Sequence, residues 1–274
     1  MDSFIHVNGG VVYLRHNTIS EHQKTLLFIH GLGESGLCFK EVFDDKRFDQ
    51  FNILVPDMLG YGRSSSANNG DHSFDSQVKR IWEVIEAQHV QNITVIGHSL
   101  GGDLTTLLCA SDRKNLVKSY INIEGDITQY DVFISRKAVE AEQEGRFYQW
   151  FYDDFMNKQV LDEWGSKYES CRRYYASLQF CRPDAFLQNA QEIIYRNTLL
   201  PGKYKSEIGK IYLSLSPSIP CLYCYGTESV SSDTQAFLAE HKLKYEEFTG
   251  AFHWLMIDQA DIFYSLLLEF ISSR

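Results

Sequence analysis

A serine flanked by small residues stands between a predicted strand and a predicted helix. The segment GHSLG (residues 97–101) follows an apolar run at 92–96 and opens a helical pattern at 101–109. A sharp turn in this context presents the hydroxyl of Ser99 at the carboxyl end of a sheet and requires glycine-sized neighbours. The helix N-terminus beside it favours an oxyanion. We predict Ser99 as a nucleophile; a glycine-rich strand exit with an N-cap serine is the simpler alternative.

Three more segments resemble motifs of one enzyme family. HGLG (30–33) resembles its HGxG turn, PDMLGYGRS (56–64) is similar to its D-x-x-G-x-G-x-S loop, and AFHW (251–254) resembles its catalytic histidine loop. Each follows a predicted strand, and with GHSLG they occur in the order of the α/β-hydrolase family. The chain resembles this family over nearly its whole length. The resemblance implies a mostly parallel sheet with helices on both faces and a helical cap insertion.

The family order of nucleophile, acid and histidine indicates the base. Of nine histidines, only His241 and His253 follow Ser99. His241 ends a predicted surface helix, where a cationic tip suits the helix dipole. His253 lies in the loop between the last predicted strand and helix. We therefore predict His253 as the base that activates the serine, with a surface or capping role as the alternative.

The third member of the triad departs from the family pattern G-x-x-D after the seventh strand. Here the corresponding segment is GTES (226–229), so a serine occupies the expected aspartate position. Glu124 ends the sixth predicted strand at a position that some family members use for the acid, and we favour it. Glu228, one residue early, is the alternative acid. Asp126 and Asp233 remain further candidates, and a structural carboxylate that fixes the insertion is the other interpretation of Glu124.

The resemblance also implies an oxyanion hole made by two backbone amides. Leu100 follows the nucleophile, and Leu32 lies in the HGxG turn. Because the N–H groups make the contacts, their side chains contribute little to this role. Asp57 is another carboxylate in these motifs. The resemblance of its loop to the D-x-x-G-x-G-x-S loop implies a structural role, so Asp57 is not assigned to the site.

These residues must be positioned by alternating strands and helices. Apolar runs at 24–29, 51–55, 92–96, 117–123, 219–225 and 243–248 predict strands, and helical spacing at 73–90, 101–109, 232–241 and 254–271 predicts helices. This alternation predicts an α/β fold whose parallel sheet is covered on both faces.

The middle of the chain differs from its two ends. Residues 128–212 are rich in charged and aromatic side chains and contain no convincing buried strand. No Gly/Ser/Pro-rich linker flanks them. We predict one core domain formed by residues 1–127 and 213–274, with a helical cap insertion at 128–212. Its aromatic residues would form a core of their own and an apolar inner face over the serine.

The composition of the chain indicates which binding partners and which cellular compartment to expect. A net charge of −10 argues against nucleic acid or an anionic membrane as a partner. The N-terminal residues lack the pattern of a signal peptide, and no apolar run approaches the roughly 20 residues that span a bilayer. Six cysteines in a chain of this length do not indicate a disulfide framework. We predict a cytoplasmic protein without membrane insertion, metal or cofactor; its oligomeric state is left open.

The function that these features predict is serine hydrolase chemistry on a small-molecule substrate. The favoured reaction is hydrolysis of a carboxylic ester of a small or medium apolar compound through an acyl-enzyme. Cleavage of a thioester, lactone, amide or carbon–carbon bond by the same site is one alternative, because fold does not decide the reaction. A non-enzymatic receptor on a hydrolase scaffold is another.

Overall fold

An eight-stranded sheet organises residues 1–272, the part of the chain that the computed structural model describes. The strands are β1 (Asp2–Val7), β2 (Gly10–His16), β3 (Thr25–Ile29), β4 (Asn52–Pro56), β5 (Ile93–His98), β6 (Val117–Ile123), β7 (Cys221–Gly226) and β8 (Tyr245–Phe248). Their order across the sheet is β1-β2-β4-β3-β5-β6-β7-β8. β2 is antiparallel to both β1 and β4, and every other pair of neighbours is parallel.

The central strands are buried along their length. Every residue of β3, β4, β5 and β7 is buried. Parallel strands covered by helices on both faces have this property, which is why they appear in the sequence as continuous apolar runs and not as alternating ones. The predicted α/β-hydrolase fold, with a mostly parallel sheet, is confirmed.

Five α-helices outside the central insertion connect or follow the strands. They are α1 (Phe74–Ala87), α2 (Leu100–Ala110), α8 (Ser232–Glu240), α9 (Leu255–Asp258) and α10 (Ala260–Ser272). Two short 3-10 helices, Gly36–Phe43 and Lys46–Phe48, follow β3. α2 is buried over most of its residues and packs against β5 and β6, so it lies directly behind the turn that carries Ser99.

The insertion between β6 and β7 is helical. It contains α3 (Phe133–Gln143), α4 (Phe147–Gln149), a π-helix (Trp150–Trp164), α5 (Glu169–Leu178), α6 (Pro183–Thr198) and α7 (Glu207–Leu215). Residues 128–212 contain no strand, as their composition suggested. The sequence boundary at 212 falls inside α7, which continues to Leu215 and packs against α2. We call residues 133–215 the helical insertion.

Two elements differ from the sequence prediction. The hairpin β1–β2 was not assigned, because its half-buried strands give no continuous apolar run. The single helix predicted over 254–271 is wrong: Gln259 leaves the helical conformation, with φ −133° and ψ 50°, and separates α9 from α10. Its side-chain amide donates to the carbonyl of Thr249 at 2.8 Å, which holds the break in place.

Two further sequence predictions concern disulfides and membrane-spanning segments. All six cysteines are buried, and none of them forms a disulfide within residues 1–272. None of the helices in these residues combines the length and the apolar character that crossing a bilayer requires.

Candidate active site

The turn between β5 and α2 holds Ser99 in a strained conformation. Its φ of 53° lies in the left-handed region, and its side chain makes no capping hydrogen bond to α2. A Cβ atom at Gly97 would lie 2.2 Å from the carbonyl oxygen of Gly101, and one at Gly101 would lie 2.1 Å from that of Ile29. Only glycine therefore fits at either position. The turn leaves the hydroxyl of Ser99 unused by the helix, in contrast to an N-cap serine.

A carboxylate on the neighbouring strand binds the imidazole of His253. Nδ1 of His253 lies 2.6 Å from Oε2 of Glu124, which directly follows β6. Glu124 also has a left-handed φ, of 49°, so the chain turns sharply where the strand ends. The carboxylate is 5% exposed and the imidazole 21% exposed. Burial alone would lower the pKa of His253, but the charge and hydrogen bond of Glu124, together with the charges of Glu34 and Asp126, outweigh burial, and the pKa is raised.

The second oxygen of Glu124 is fully engaged by the loop after β7. Oε1 accepts hydrogen bonds from the amide of Gly226 at 2.6 Å and from the hydroxyl of Ser229 at 2.7 Å. A buried carboxylate needs such donors, because a charge left without partners in the interior is costly. These two bonds fix the orientation of the carboxylate toward His253.

The other acid candidates are not hydrogen-bonded to the imidazole of His253 within residues 1–272. Glu228 is exposed, and its backbone amide, not its carboxylate, makes the described contact, a hydrogen bond to the carbonyl of Ala251. Asp233 lies in the first turn of α8 and does not line the cavity described below. Asp126 does line that cavity, but among the described residues its side chain has no hydrogen-bonded partner. The structure thus brings Glu124, and not Glu228 or Asp233, to the imidazole.

One cavity of about 350 Å³ contains the predicted nucleophile and base together. Ser99, His253, Glu124 and Leu32 line it, along with residues of the helical insertion. With Nδ1 bound to Glu124, Nε2 is the nitrogen of His253 that remains available for proton transfer. The arrangement can therefore support a serine nucleophile and a histidine base acting on a molecule in the cavity.

The two amides predicted for the oxyanion hole have no acceptor among residues 1–272. Leu100 is the first residue of α2, where an N–H group has no acceptor within the helix. Leu32 lies in the turn after β3, and its carbonyl accepts a hydrogen bond from the hydroxyl of Tyr174 at 2.9 Å. Tyr174 belongs to α5, so the helical insertion helps to hold this turn.

A second carboxylate, Glu34, was missed by the sequence analysis and connects three loops. Its Oε2 accepts from the amide of Gly31 at 2.6 Å and lies 2.9 Å from Nδ1 of His98, while its Oε1 accepts from the indole of Trp254. Nε2 of His98 lies 3.0 Å from the carbonyl oxygen of His253. Glu34 thus joins the HGxG turn, the serine turn and the histidine loop. No local pattern signals this role, because its partners are distant in sequence.

His98 lies between two acceptors in this network. Its ring nitrogens face the Glu34 carboxylate and the carbonyl of His253. The ring is 1% exposed and the carboxylate 2% exposed. Burial would raise the pKa of Glu34, but its contacts with His98, Gly31 and Trp254 together outweigh burial, and the pKa is lowered to about 2. Glu34 and His98 thus form a buried polar contact beside the nucleophile.

Asp57 and His30 have structural roles in the same region. The Asp57 carboxylate accepts from the amides of Gly36 at 2.7 Å and Arg63 at 2.8 Å, which joins two loops. His30 accepts from the amide of Met58 through Nε2 at 3.0 Å. Neither residue lines the cavity.

Aromatic side chains of the helical insertion contact the residues that flank His253. The ring of Tyr168 stacks on that of Phe252 with 4.8 Å between centroids, and Tyr174 packs on Trp254 at 4.7 Å. Because these contacts lie on both sides of the histidine, the insertion supports the histidine loop directly. The insertion also contributes Trp164 and Ile193 to the cavity wall.

The sequence of the chain is similar to those of known proteins. Residues 24–260 match the model of the alpha/beta hydrolase fold family. Lipase 3 of Moraxella sp. (strain TA144) is 29% identical over 107 residues, which cover 39% of this chain. The chain spans 33% of the length of that lipase.

Solved structures share the fold at low identity. A structure reported with the carboxylesterases of Nitrososphaera gargenis superposes with a TM-score of 0.76 at 14% identity, covering 98% of both chains. The enol-lactonase from Burkholderia xenovorans LB400 also has a TM-score of 0.76, at 16% identity, and the match covers 98% of this chain and 100% of that one. At this identity the likeness concerns the fold alone.

Proposed function

Because the chain belongs to the alpha/beta hydrolase fold family, we propose that it is a serine hydrolase that cleaves a carboxylic ester through an acyl-enzyme. The lipase relative and the family match support hydrolase activity as such. The ester, the serine mechanism and the roles of individual residues are the proposal. The single observation that carries it is the hydrogen bond of 2.6 Å between Glu124 and His253 in the cavity that also contains Ser99.

In the first half of the proposed reaction, Ser99 attacks the ester carbonyl. The proton of its hydroxyl passes to Nε2 of His253 as the Oγ–carbon bond forms, and the negative Glu124 stabilises the resulting imidazolium. The carbonyl oxygen becomes an oxyanion, which the amides of Leu32 and Leu100 bind. Collapse of this intermediate breaks the bond to the alcohol, which leaves with the proton from His253.

In the second half, water replaces the alcohol. His253 takes a proton from the water as its oxygen attacks the acyl carbon, and the oxyanion forms again on the same two amides. The bond between Ser99 and the acyl carbon then breaks. The serine recovers its proton from His253 and the carboxylic acid leaves, so one ester and one water yield one acid and one alcohol.

The cavity wall favours an apolar body for the substrate. Apolar surface in the cavity that contains Ser99 comes from Trp164, Phe133, Ile134 and Val230. Such surface binds an acyl or alkyl group and excludes water from the reacting atoms. The cavity's volume of about 350 Å³ suits a small or medium substrate.

Labelling with a fluorophosphonate probe tests the enzyme class against the receptor alternative. We expect one adduct, at Ser99, in the native chain and none in Ser99→Ala. A panel of esters, thioesters and lactones then identifies the bond, and Ser99→Ala should lower turnover by about a millionfold without unfolding the protein. Absence of labelling in the native chain, or near-native turnover by Ser99→Ala, would refute the serine mechanism.

A further inference from the structure

The wall of the cavity around Ser99 is strongly acidic. Five carboxyl groups line it, and among the described residues no lysine or arginine does. The five are Glu34, Glu124, Asp126, Asp131 and Glu228. Such a surface disfavours anionic substrates and attracts cations, because the low dielectric of a cavity strengthens the field of its charges.

Three of these carboxylates already have partners. Glu34 pairs with His98 and Glu124 with His253. Asp131 accepts hydrogen bonds from the hydroxyl groups of Thr128 at 2.9 Å and Ser231 at 3.3 Å, and from that of Thr234. These groups are satisfied inside the protein and need no ligand.

Asp126 differs from them. It is 7% exposed and lines the cavity, yet no residue within 1–272 donates a hydrogen bond to its carboxyl group. Its backbone is fixed, because its amide donates to Oδ1 of Asp103 at 2.8 Å and its carbonyl accepts from Ser206. Buried carboxylates in folded proteins are nearly always paired or hydrogen-bonded, and the side chain of Asp126 is open to a partner from the cavity.

The electrostatic setting of Asp126 indicates the charge of that partner. Burial, and after it the negative charge of Asp131, raise the pKa of Asp126 to about 8. The positive charge of His253 offsets only part of this increase, so the ionised form of Asp126 is disfavoured. A cation bound beside it would supply the compensation.

Aromatic side chains line the cavity that contains Asp126. The hydroxyl of the buried Tyr223 donates to the carbonyl of Gly125 at 2.9 Å, next to Asp126 in the chain. Tyr130 and Phe133 line the same cavity and are exposed, and the ammonium group of Lys137 lies 4.5 Å from the centroid of the Phe133 ring. The negative faces of such rings attract ammonium groups, and their apolar surfaces accommodate the attached methyl groups.

We propose that the cavity binds a quaternary or protonated amine carried by the substrate, with Asp126 as its counter-ion. This inference rests on the proposed ester hydrolysis and narrows its substrates to acyl compounds that combine an apolar body with one cationic group. The reacting residues stay the same; Asp126 determines specificity.

A matched pair of ligands tests the inference without turnover. Choline and 3,3-dimethylbutan-1-ol have the same shape and differ in the positive charge. Titration calorimetry on the native chain should give a dissociation constant for choline about tenfold lower, or more, than that for the neutral alcohol. The isosteric Asp126→Asn should reduce this preference by about tenfold. Asp162→Asn, the same change on an exposed residue of the insertion, is the matched control.

Each outcome decides the matter. Equal binding of the two ligands to the native chain, or no saturable choline binding, would overturn the inference. Preference for choline that survives in Asp126→Asn, with an unchanged melting temperature, would overturn the role of Asp126. Because binding is measured without catalysis, fluorophosphonate labelling of Ser99 can succeed when this test fails, and the reverse, so the two proposals are separable.

Discussion

The hydroxyl of Ser229 donates a hydrogen bond to Glu124, with 2.7 Å between Oγ and Oε1. Ser229 occupies the position after β7 where most of the resembling family has its acid. Here the carboxylate comes from the end of β6 instead, and β6 and β7 are adjacent parallel strands. Since neighbouring strands lie about 4.8 Å apart, a glutamate at the end of either can reach the same imidazole. The serine then acts as a donor that orients the relocated carboxylate.

Glu124→Gln should lower kcat/KM by about three to four orders of magnitude. The substitution keeps the shape but removes the charge that stabilises the imidazolium of His253. Steady-state kinetics on a neutral ester would measure the loss. Glu228→Gln is the matched control, and we expect it to change kcat/KM less than about twofold, because Glu228 is exposed and makes no contact with the imidazole. The opposite pattern would move the acid to the loop after β7.

Ser229→Ala should lower kcat by about tenfold. It removes one of the two donors to Oε1 of Glu124 and leaves the amide of Gly226 in place. Ser214→Ala, at an exposed serine of α7, is the control. A loss as large as that of Glu124→Gln would mean that Ser229 does more than orient the carboxylate, and no loss would mean that Gly226 suffices.

The acid limb of the pH profile of kcat/KM should lie above the ordinary histidine value of 6.5. His253 acts as a base only when neutral, and its pKa is raised, burial being outweighed by the charges of Glu124, Glu34 and Asp126. Activity should therefore rise with pH through that pKa. In Glu124→Gln the acid limb should move to lower pH, because the substitution removes the charge that contributes most to raising the pKa of His253. If the acid limb of Glu124→Gln lay at the same pH as that of the native chain, the pairing of Glu124 with His253 would be contradicted.

Glu34→Gln should lower the free energy of unfolding by about 3 kcal/mol, because it removes the buried carboxylate that binds Gly31, His98 and Trp254. Glu163→Gln, on an exposed residue, is the control for chemical denaturation at neutral pH. The folded-state pKa of Glu34 is lowered from 4.5 to about 2. The stability that ionised Glu34 adds to the folded state is thus present above pH 4.5 and is lost as the pH falls toward 2. The difference in the free energy of unfolding between the native chain and Glu34→Gln should therefore shrink over that range. A pH-independent difference would exclude the ionised carboxylate of Glu34 as its cause.

Much of the fold could be predicted from local sequence patterns. Buried parallel strands appear as continuous apolar runs, and GHSLG marks a strand, a sharp turn and a helix within a few residues. The predicted bounds of β6, residues 117–123, match the structure. The hairpin β1–β2 was missed because its half-buried strands give no continuous apolar run, and the break at Gln259 was missed because it depends on a side-chain contact with Thr249.

The sequence by itself determined which residue types were available for chemistry: one serine in a strand–turn–helix setting, one histidine in the last loop and several carboxylates at strand ends. Only the tertiary structure decided which carboxylate meets His253, because the answer depends on the spacing of β6 and β7 and on the left-handed turn at Glu124. It also revealed Glu34 joined to His98 and Trp254, and the carboxyl group of Asp126 without a hydrogen-bond donor among residues 1–272. Hydrogen bonds act over about 3 Å in space, and the chain brings these residues together from positions up to 220 apart in sequence.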